Sequence, residues 1–564
     1  MKRFFSVLAL LVLLILCAGR QDDTFTLLWY VNGSDLESAP DGGAFTQNLG
    51  EMLSALPSDG RLKVALFTGG TLDWKTEGFS ESNQVHVIDM NGLTHGPALP
   101  GGSVASPETL TLFLRWGIAA CPAKRYGLVF WDHGSGVPIG FGYDELREPR
   151  YMDLAAMDEG LSKGLSGVKL SFIGFDACLM ATAEVAAACA PFTGTLIASE
   201  ELEPFGGWDY GPLMRALGSD PGLPPADIGR VIANGYFSAE EDAILTLSVA
   251  DLTRIRPVED AVSDIARGIQ SLLDTGGFAG VARARAAVKY FGGVSQSVDM
   301  VDLVSLAESF ADALPEEAAR LEDAVRDCVV YNRHTDGADG ANGLSVYFPY
   351  HNEGIYKTFL ARYPDFSRPY AALIRDFSSR LGTGRVPRMA EQKLETRDGA
   401  VRMKAPPDTL RAEGVLIRRP FLVGACGGVT IDGDDLLSAI PQRWLTINGA
   451  PVFARGEGDT VSVPALHDGR KVSLLIKLDE DGATLLGSVP EAKDGRIPRP
   501  TVYPVESGDT LAFLYPVIGS ETLAEGEPFT VGINLTVRFE PAEGEFGILL
   551  TDCGQKETVI TGSR

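Results

Sequence analysis

Short, nearly unbroken apolar runs alternate with helix-spaced apolar positions from about Phe25 to Leu381. Thr26–Val31 (TLLWYV) reads as a strand buried on both faces. Ala44–Leu56 then carries apolar residues at helical spacing, and Leu62–Thr68 reads as the next strand. Ser106-Pro107-Glu108 is a helix start, with a capping serine, proline in the first turn and an acid behind it. That helix is predicted to run to about Ile118. Tyr126–Trp131 (YGLVFW), Lys169–Phe175 (KLSFIGF), Thr195–Ser199 and Leu344–Phe348 read as further strands. Apolar strands separated by helices predict an α/β fold, with a largely parallel sheet flanked by helices.

The pattern changes at Gly382-Thr383-Gly384-Arg385-Val386-Pro387, a glycine- and proline-containing linker. Beyond it, runs such as Lys471–Lys477 and Thr530–Phe539 are punctuated by Gly, Asp and Pro turns. They predict a C-terminal all-β, sandwich-like domain over residues 388–564, behind a first domain over residues 24–382.

A length of 564 residues agrees with two or more domains, and 45% hydrophobic residues can fill their cores. The net charge of −26 excludes the clustered basic surface that nucleic acid requires. At the N-terminus, Lys2 and Arg3 precede an apolar run, Phe4–Leu16, then small residues and a polar stretch at Arg20–Asp23. This is the layout of a signal peptide, expected to span residues 1–19, and the run is short for a bilayer span of about 20 residues. The chain is therefore expected to be exported to the periplasm, cell surface or medium. Leu14-Ile15-Leu16-Cys17 is similar to a bacterial lipobox, although Leu16 stands where a small residue is usual, so a lipid tether through Cys17 is a second outcome. The other cysteines (Cys121, Cys178, Cys189, Cys328, Cys426 and Cys553) have no CxxC or zinc-like spacing.

Two segments share one design. Strand Tyr126–Trp131 runs into Asp132-His133-Gly134-Ser135-Gly136, and strand Lys169–Phe175 runs into Asp176-Ala177-Cys178-Leu179-Met180, then a helical pattern over residues 181–190. Ligands of open parallel sheets bind beyond the carboxyl ends of the strands, where both His133 and Cys178 fall. A thiol needs a nearby base or a depressed pKa to act as a nucleophile. His133 is placed to take its proton and return it to a leaving amine. Cys178, read as opening a helix, would also gain from the helix dipole. The amides of Gly134 and Cys178 are candidates for an oxyanion hole.

A strand ending in His-Gly followed by one ending in Ala-Cys resembles the caspase-like (clan CD) cysteine peptidases. The longer strings resemble the clostripain family in particular: Tyr30–Glu37 (YVNGSDLE), Asp176–Met180 (DACLM), Gly207-Trp208-Asp209-Tyr210 and Gly343–Pro349 (GLSVYFP). The resemblance covers about Phe25 to Leu381 and makes residues 24–382 a clostripain-like peptidase domain with a caspase-like fold. Ser34 departs from the motif, where an acidic or amide residue is common. The resemblance implies endopeptidase cleavage of protein or peptide substrates after Arg or Lys, with Asp176 and Asp209 as acidic groups of the S1 pocket, because a buried cation must be paired. It also implies self-cleavage between the catalytic residues, where Arg147 and Arg150 are suitable P1 residues in a polar loop, Gly140–Met152. Calcium is the one cofactor it leaves open. The loop Asp336–Asn342 is rich in oxygen donors but lacks the terminal Glu of an EF-hand, so no metal ligands are assigned.

Three other readings remain. A non-catalytic surface protein could keep the fold and bind through its C-terminal domain, and a related peptidase could prefer another P1 residue. A serine hydrolase is suggested by His133-Gly134-Ser135-Gly136, but this lacks the Gly-x-Ser-x-Gly elbow.

Overall fold

The computed structural model describes residues 23–239, 243–292, 298–349 and 366–383 and, from residue 395 on, the strands of the C-terminal region with some of their connections. The segment expected to be a signal peptide, Cys17, Cys426 and Cys553 lie outside the described residues. The chain divides into two compact units, one of residues 1–259 with 323–346 and the other of residues 260–322 with 347–564.

The first unit is built on a nine-stranded sheet. Its strands are β1 (Phe25–Asn32), β2 (Leu62–Gly69), β3 (Gln84–Asp89), β4 (Gly92–Ala98), β5 (Arg125–Trp131), β6 (Phe172–Asp176), β7 (Thr195–Ala198), β8 (Thr246–Asp251) and β9 (Val329–His334). Their order across the sheet is β9-β8-β7-β6-β5-β1-β2-β3-β4. The middle is parallel, from β2 through β1, β5 and β6 to β7. The strands outside it, β3 and β4 on one side and β8 and β9 on the other, pair antiparallel. The sheet is thus mixed, with a parallel heart.

All eight residues of β1 are buried, which is why its sequence shows no polar alternation. The two faces still separate with a period of two. Leu27, Trp29 and Val31 join a core that includes residues of α2 (Ala44–Ser54), α7 (Tyr210–Ser219) and α8 (Pro225–Ala239). Tyr30 points to the opposite face, stacked on Phe67 and close to Phe113 and Phe130. Phe113 lies on α3 (Pro107–Ala120), where the Ser106 hydroxyl accepts the Thr109 amide as its sequence suggests. Burying each large side chain of this kind is worth about 1.5–3 kcal/mol, so both covered faces stabilise the central strands.

Register matters most for the site. Val31 pairs with Trp131, and Trp131 with Asp176. Strands β1, β5 and β6 are neighbours and end level, so the residues that follow each of them emerge along one edge. The expected strand Leu344–Phe348 is shorter, Ser345–Tyr347, and lies outside this sheet.

In the second unit, the C-terminal region is made of antiparallel sheets. The hairpin Thr460–His467 with Arg470–Leu478 is the best covered, its Val461, Val463, Leu474 and Ile476 packed in one core. Among the described residues, no helix is long and apolar enough to cross a membrane.

Candidate active site

The end of β6 turns sharply. Leu179 takes a left-handed φ of 62°, the Thr182 amide turns back onto the Met180 carbonyl at 2.9 Å, and Thr182 itself is extended before α6 (Ala183–Cys189) begins. Thr182 caps that helix, accepting the Val185 amide at 3.0 Å. The helix therefore starts five residues after Cys178. This corrects the expectation that Cys178 opens a helix, and the dipole contributes nothing there. The delay has a tertiary cause: the Ala181 amide donates to the Ser199 carbonyl, and Thr182 bridges to Ser345.

Cys178 is fully buried. The Glu203 amide donates to its Sγ at 3.1 Å, and Sγ lies 3.8 Å from the Glu203 carbonyl oxygen. The sulfur is thus held between a backbone donor and a backbone acceptor of one residue, where a helix start was expected. Cys121, Cys189 and Cys328 are also buried and unbridged, and burial pushes the thiols of Cys189 and Cys328 up to about 12.

His133 follows β5 and is almost completely buried. Its Nε2 lies 2.9 Å from Asp35 Oδ1, while Nδ1 is buried and has no hydrogen-bond partner. Next to it, Asp132 is fully buried and accepts the Ser34 hydroxyl at 2.6 Å and the Tyr143 amide at 2.5 Å. Burial pushes the Asp132 carboxyl up to about 6, against the opposing pull of His133 and of those hydrogen bonds. Ser34, the residue that departs from the family motif, thus ties the loop after β1 to the loop after β5.

Gly134 brings the two strand ends together. A Cβ on it would lie 1.8 Å from the Cys178 carbonyl oxygen and 2.8 Å from the Cys178 nitrogen. Only glycine fits. The same segment is held by bridges from Gly134 to Phe141 and from Phe141 to Met152.

Asp176 is buried, and its two oxygens accept the Trp208 amide at 3.3 Å and the Tyr210 hydroxyl at 2.8 Å. Asp209 caps α7 by accepting the Gly211 amide at 2.9 Å. It also lines a cavity of about 180 Å³ with Gln47, Glu51, Gly206, Gly207, Trp208 and Ala239. The two aspartates are linked through Trp208, but Asp176 does not line this cavity. Glu51, which the sequence reading missed, does; burial raises its carboxyl above the usual range despite the Tyr210 amide.

Arg147 and Arg150 lie on a well-ordered loop. Asp144 Oδ1 accepts the Leu146 and Arg147 amides, and the Asp144 amide donates to the Arg150 carbonyl at 2.9 Å. Glu148 and Pro149 form its exposed tip. The Asp336–Asn342 loop is a tight turn in which Asp339 accepts the Gly340 amide. Elsewhere, His467, Asp468 and Asp509 gather ligand-type atoms. Both His467 nitrogens are already engaged, with Ser488 Oγ at 2.8 Å and Asp509 Oδ2 at 2.9 Å.

Asp35, Asp132 and Glu203 were not singled out from sequence. Asp35 stands three residues past the end of β1, a strand end like those that marked His133 and Cys178, but its nearness to His133 follows only from the strand order.

A family model described as the clostripain family matches residues 47–383. No curated protein matches the chain. Among solved structures, the chain is similar to a secreted C11 cysteine protease from Bacteroides thetaiotaomicron bound to an irreversible peptide inhibitor, at 17% identity and a TM-score of 0.47, over 62% of this chain and 99% of that one. An inactive zymogen C11 protease from Parabacteroides distasonis gives 17% and 0.47, over 62% and 97%. A clostripain from Bacteroides thetaiotaomicron in complex with a peptide inhibitor gives 19% and 0.29, over 41% and 98%.

Proposed function

The chain belongs to the clostripain family of cysteine peptidases, and on that premise we propose that it is an exported endopeptidase cleaving after Arg or Lys through His133 and Cys178. The observation that carries the reading is the seam at Gly134, which sets the backbone after His133 directly against that of Cys178. The same seam joins the segment that carries His133, whose Nδ1 is buried without a partner, to the segment that carries Cys178, whose sulfur receives an amide.

In this mechanism Cys178 Sγ attacks the scissile carbonyl carbon, and His133 holds the thiol proton and delivers it to the leaving amine. Water then hydrolyses the thioester. The amides of Gly134 and Cys178 face the developing oxyanion. Asp176 and Asp209 supply the negative charge that a P1 cation needs, and Glu51 adds to it. A panel of fluorogenic peptides varied at P1, with and without chelator, tests the proposal. Arg and Lys substrates should dominate, and Asp176→Asn should erase the preference. Turnover after Asp, Asn or apolar residues would overturn the specificity, and loss of activity on chelation would reveal a calcium requirement.

The covering of Cys178 by Glu203 fits a precursor that is not yet open to substrate. We assign self-cleavage to the bond after Arg147 rather than that after Arg150. The Arg150 carbonyl accepts the Asp144 amide, whereas the bond after Arg147 enters the exposed tip. N-terminal sequencing of active protein should give Glu148, absent in Cys178→Ala. A fully active uncut chain would remove this step.

A further inference from the structure

We infer that Asp35 is a positioning residue for His133, fixing both its orientation and the nitrogen that serves as base. The inference rests on the catalytic pair proposed above and adds a residue to it. Asp35 lies in α1 (Ser34–Ser38), the short helix that follows β1. Its carboxylate reaches His133 Nε2 at 2.9 Å. An ionised carboxylate only accepts, so Nε2 carries the proton and the lone pair of the neutral ring sits on Nδ1. Nδ1 is the buried nitrogen with no hydrogen-bond partner, as a nitrogen reserved for a reacting proton would be.

Helix α1 holds Asp35 firmly. The Ser34 hydroxyl donates to Asp132 Oδ1 at 2.6 Å, and the Ser34 carbonyl accepts the Thr71 hydroxyl at 2.7 Å. At the other end of the helix the Ser38 hydroxyl donates to Glu145 Oε2 at 2.7 Å. Asp35 on α1 and Asp132 on its own strand end are charged neighbours of the imidazole, and Cys178 lies on the segment across the Gly134 seam. Asp35 alone of these meets a ring nitrogen at hydrogen-bond distance through a carboxylate. When the imidazolium forms, that carboxylate stabilises it; when the proton passes to the leaving amine, the ring keeps its tautomer.

The test compares wild type with Asp35→Asn and Asp35→Glu in the full chain, by pH profiles of kcat and KM on the best P1-basic peptide. Asp35→Asn should lower kcat by about 100-fold with KM nearly unchanged, at the lower end of the range for general acid–base groups. Its acid limb should move to lower pH, because an imidazole without its anion is a weaker base. Asp35→Glu, which restores a carboxylate, should move that limb back towards wild type even if kcat stays low. An Asp35→Asn enzyme with unchanged kcat and unchanged limb would overturn the inference. So would a kcat loss with no movement of the limb in either variant, since that is the mark of a merely structural role. An inactive wild type would instead overturn the catalytic reading itself.

Discussion

The ends of β5 and β6 lie level and side by side, yet the two groups proposed to react there are held by different means. After β5, His133 is aimed by side chains: Asp35 at its Nε2, with Asp132 and Ser34 bracing the loops on either side. After β6, Cys178 is held by backbone: the Glu203 amide at its sulfur, the Gly134 main chain against its own, and a left-handed turn at Leu179. A base must take a proton and return it at one fixed nitrogen, and so gains from a directional, ionisable neighbour at the other. A nucleophile needs a fixed point in space, which main-chain contacts supply without any titratable group. The first arrangement should answer to pH and side-chain chemistry, the second to shape alone.

Removing either reactive group gives the largest effect. Cys178→Ala and His133→Ala should each lower kcat/KM by more than about 1,000-fold, and the double variant should be no slower than the worse single. A double variant far slower than both would mean that the two ends do not work together. The next effect probes shape. Gly134→Ala should cost about 100-fold in kcat/KM, because the added methyl forces the strand ends apart, together with about 1–3 kcal/mol of overpacking. Near-normal activity in that variant would break the claim that backbone contact builds the nucleophile side.

The side-chain end predicts a pH effect on stability. Asp132 has a folded-state carboxyl pushed up to about 6, above its ordinary value near 3.8. A raised carboxyl contributes stability that is fully present below about pH 4 and is lost as pH rises through 6. Relative to Asp132→Asn, wild type should therefore lose up to about 3 kcal/mol between pH 4 and pH 7 in urea unfolding. A pH-independent difference would show that Asp132 is ionised throughout. The smallest effect belongs to the cap of α6. Thr182→Ala should cost about 1 kcal/mol of stability and leave kcat within a few-fold. A large activity loss would mean that the helix does help to place Cys178.

The sheet was readable from sequence because its central strands are covered on both faces, so that Thr26–Val31 and Tyr126–Trp131 stand out as apolar blocks. The strand ends followed from the same blocks, and His133 and Cys178 followed from the ends. The start of α6 did not. Met180–Thr182 have helical company in the chain, but bonds to Ser199 and Ser345 keep them out of the helix, and no local pattern reports partners so distant. Glu203 over the thiol was hidden for the same reason: its amide, common to any residue, makes the contact. The pairing of Asp35 with His133 depends on β1 lying beside β5, a matter of strand order that spacing along the chain does not encode. The antiparallel strands flanking the parallel heart, β3, β4, β8 and β9, were equally silent.

That strand order carries a consequence for the cell that makes this chain. Asp35 and His133 are 98 positions apart, and each reactive segment follows a different strand. Contacts so distant in sequence are slow to form and come only when the sheet closes. A chain that has not yet closed its sheet therefore holds His133 and Cys178 on separate segments, and under the function proposed above its peptidase activity waits for tertiary folding.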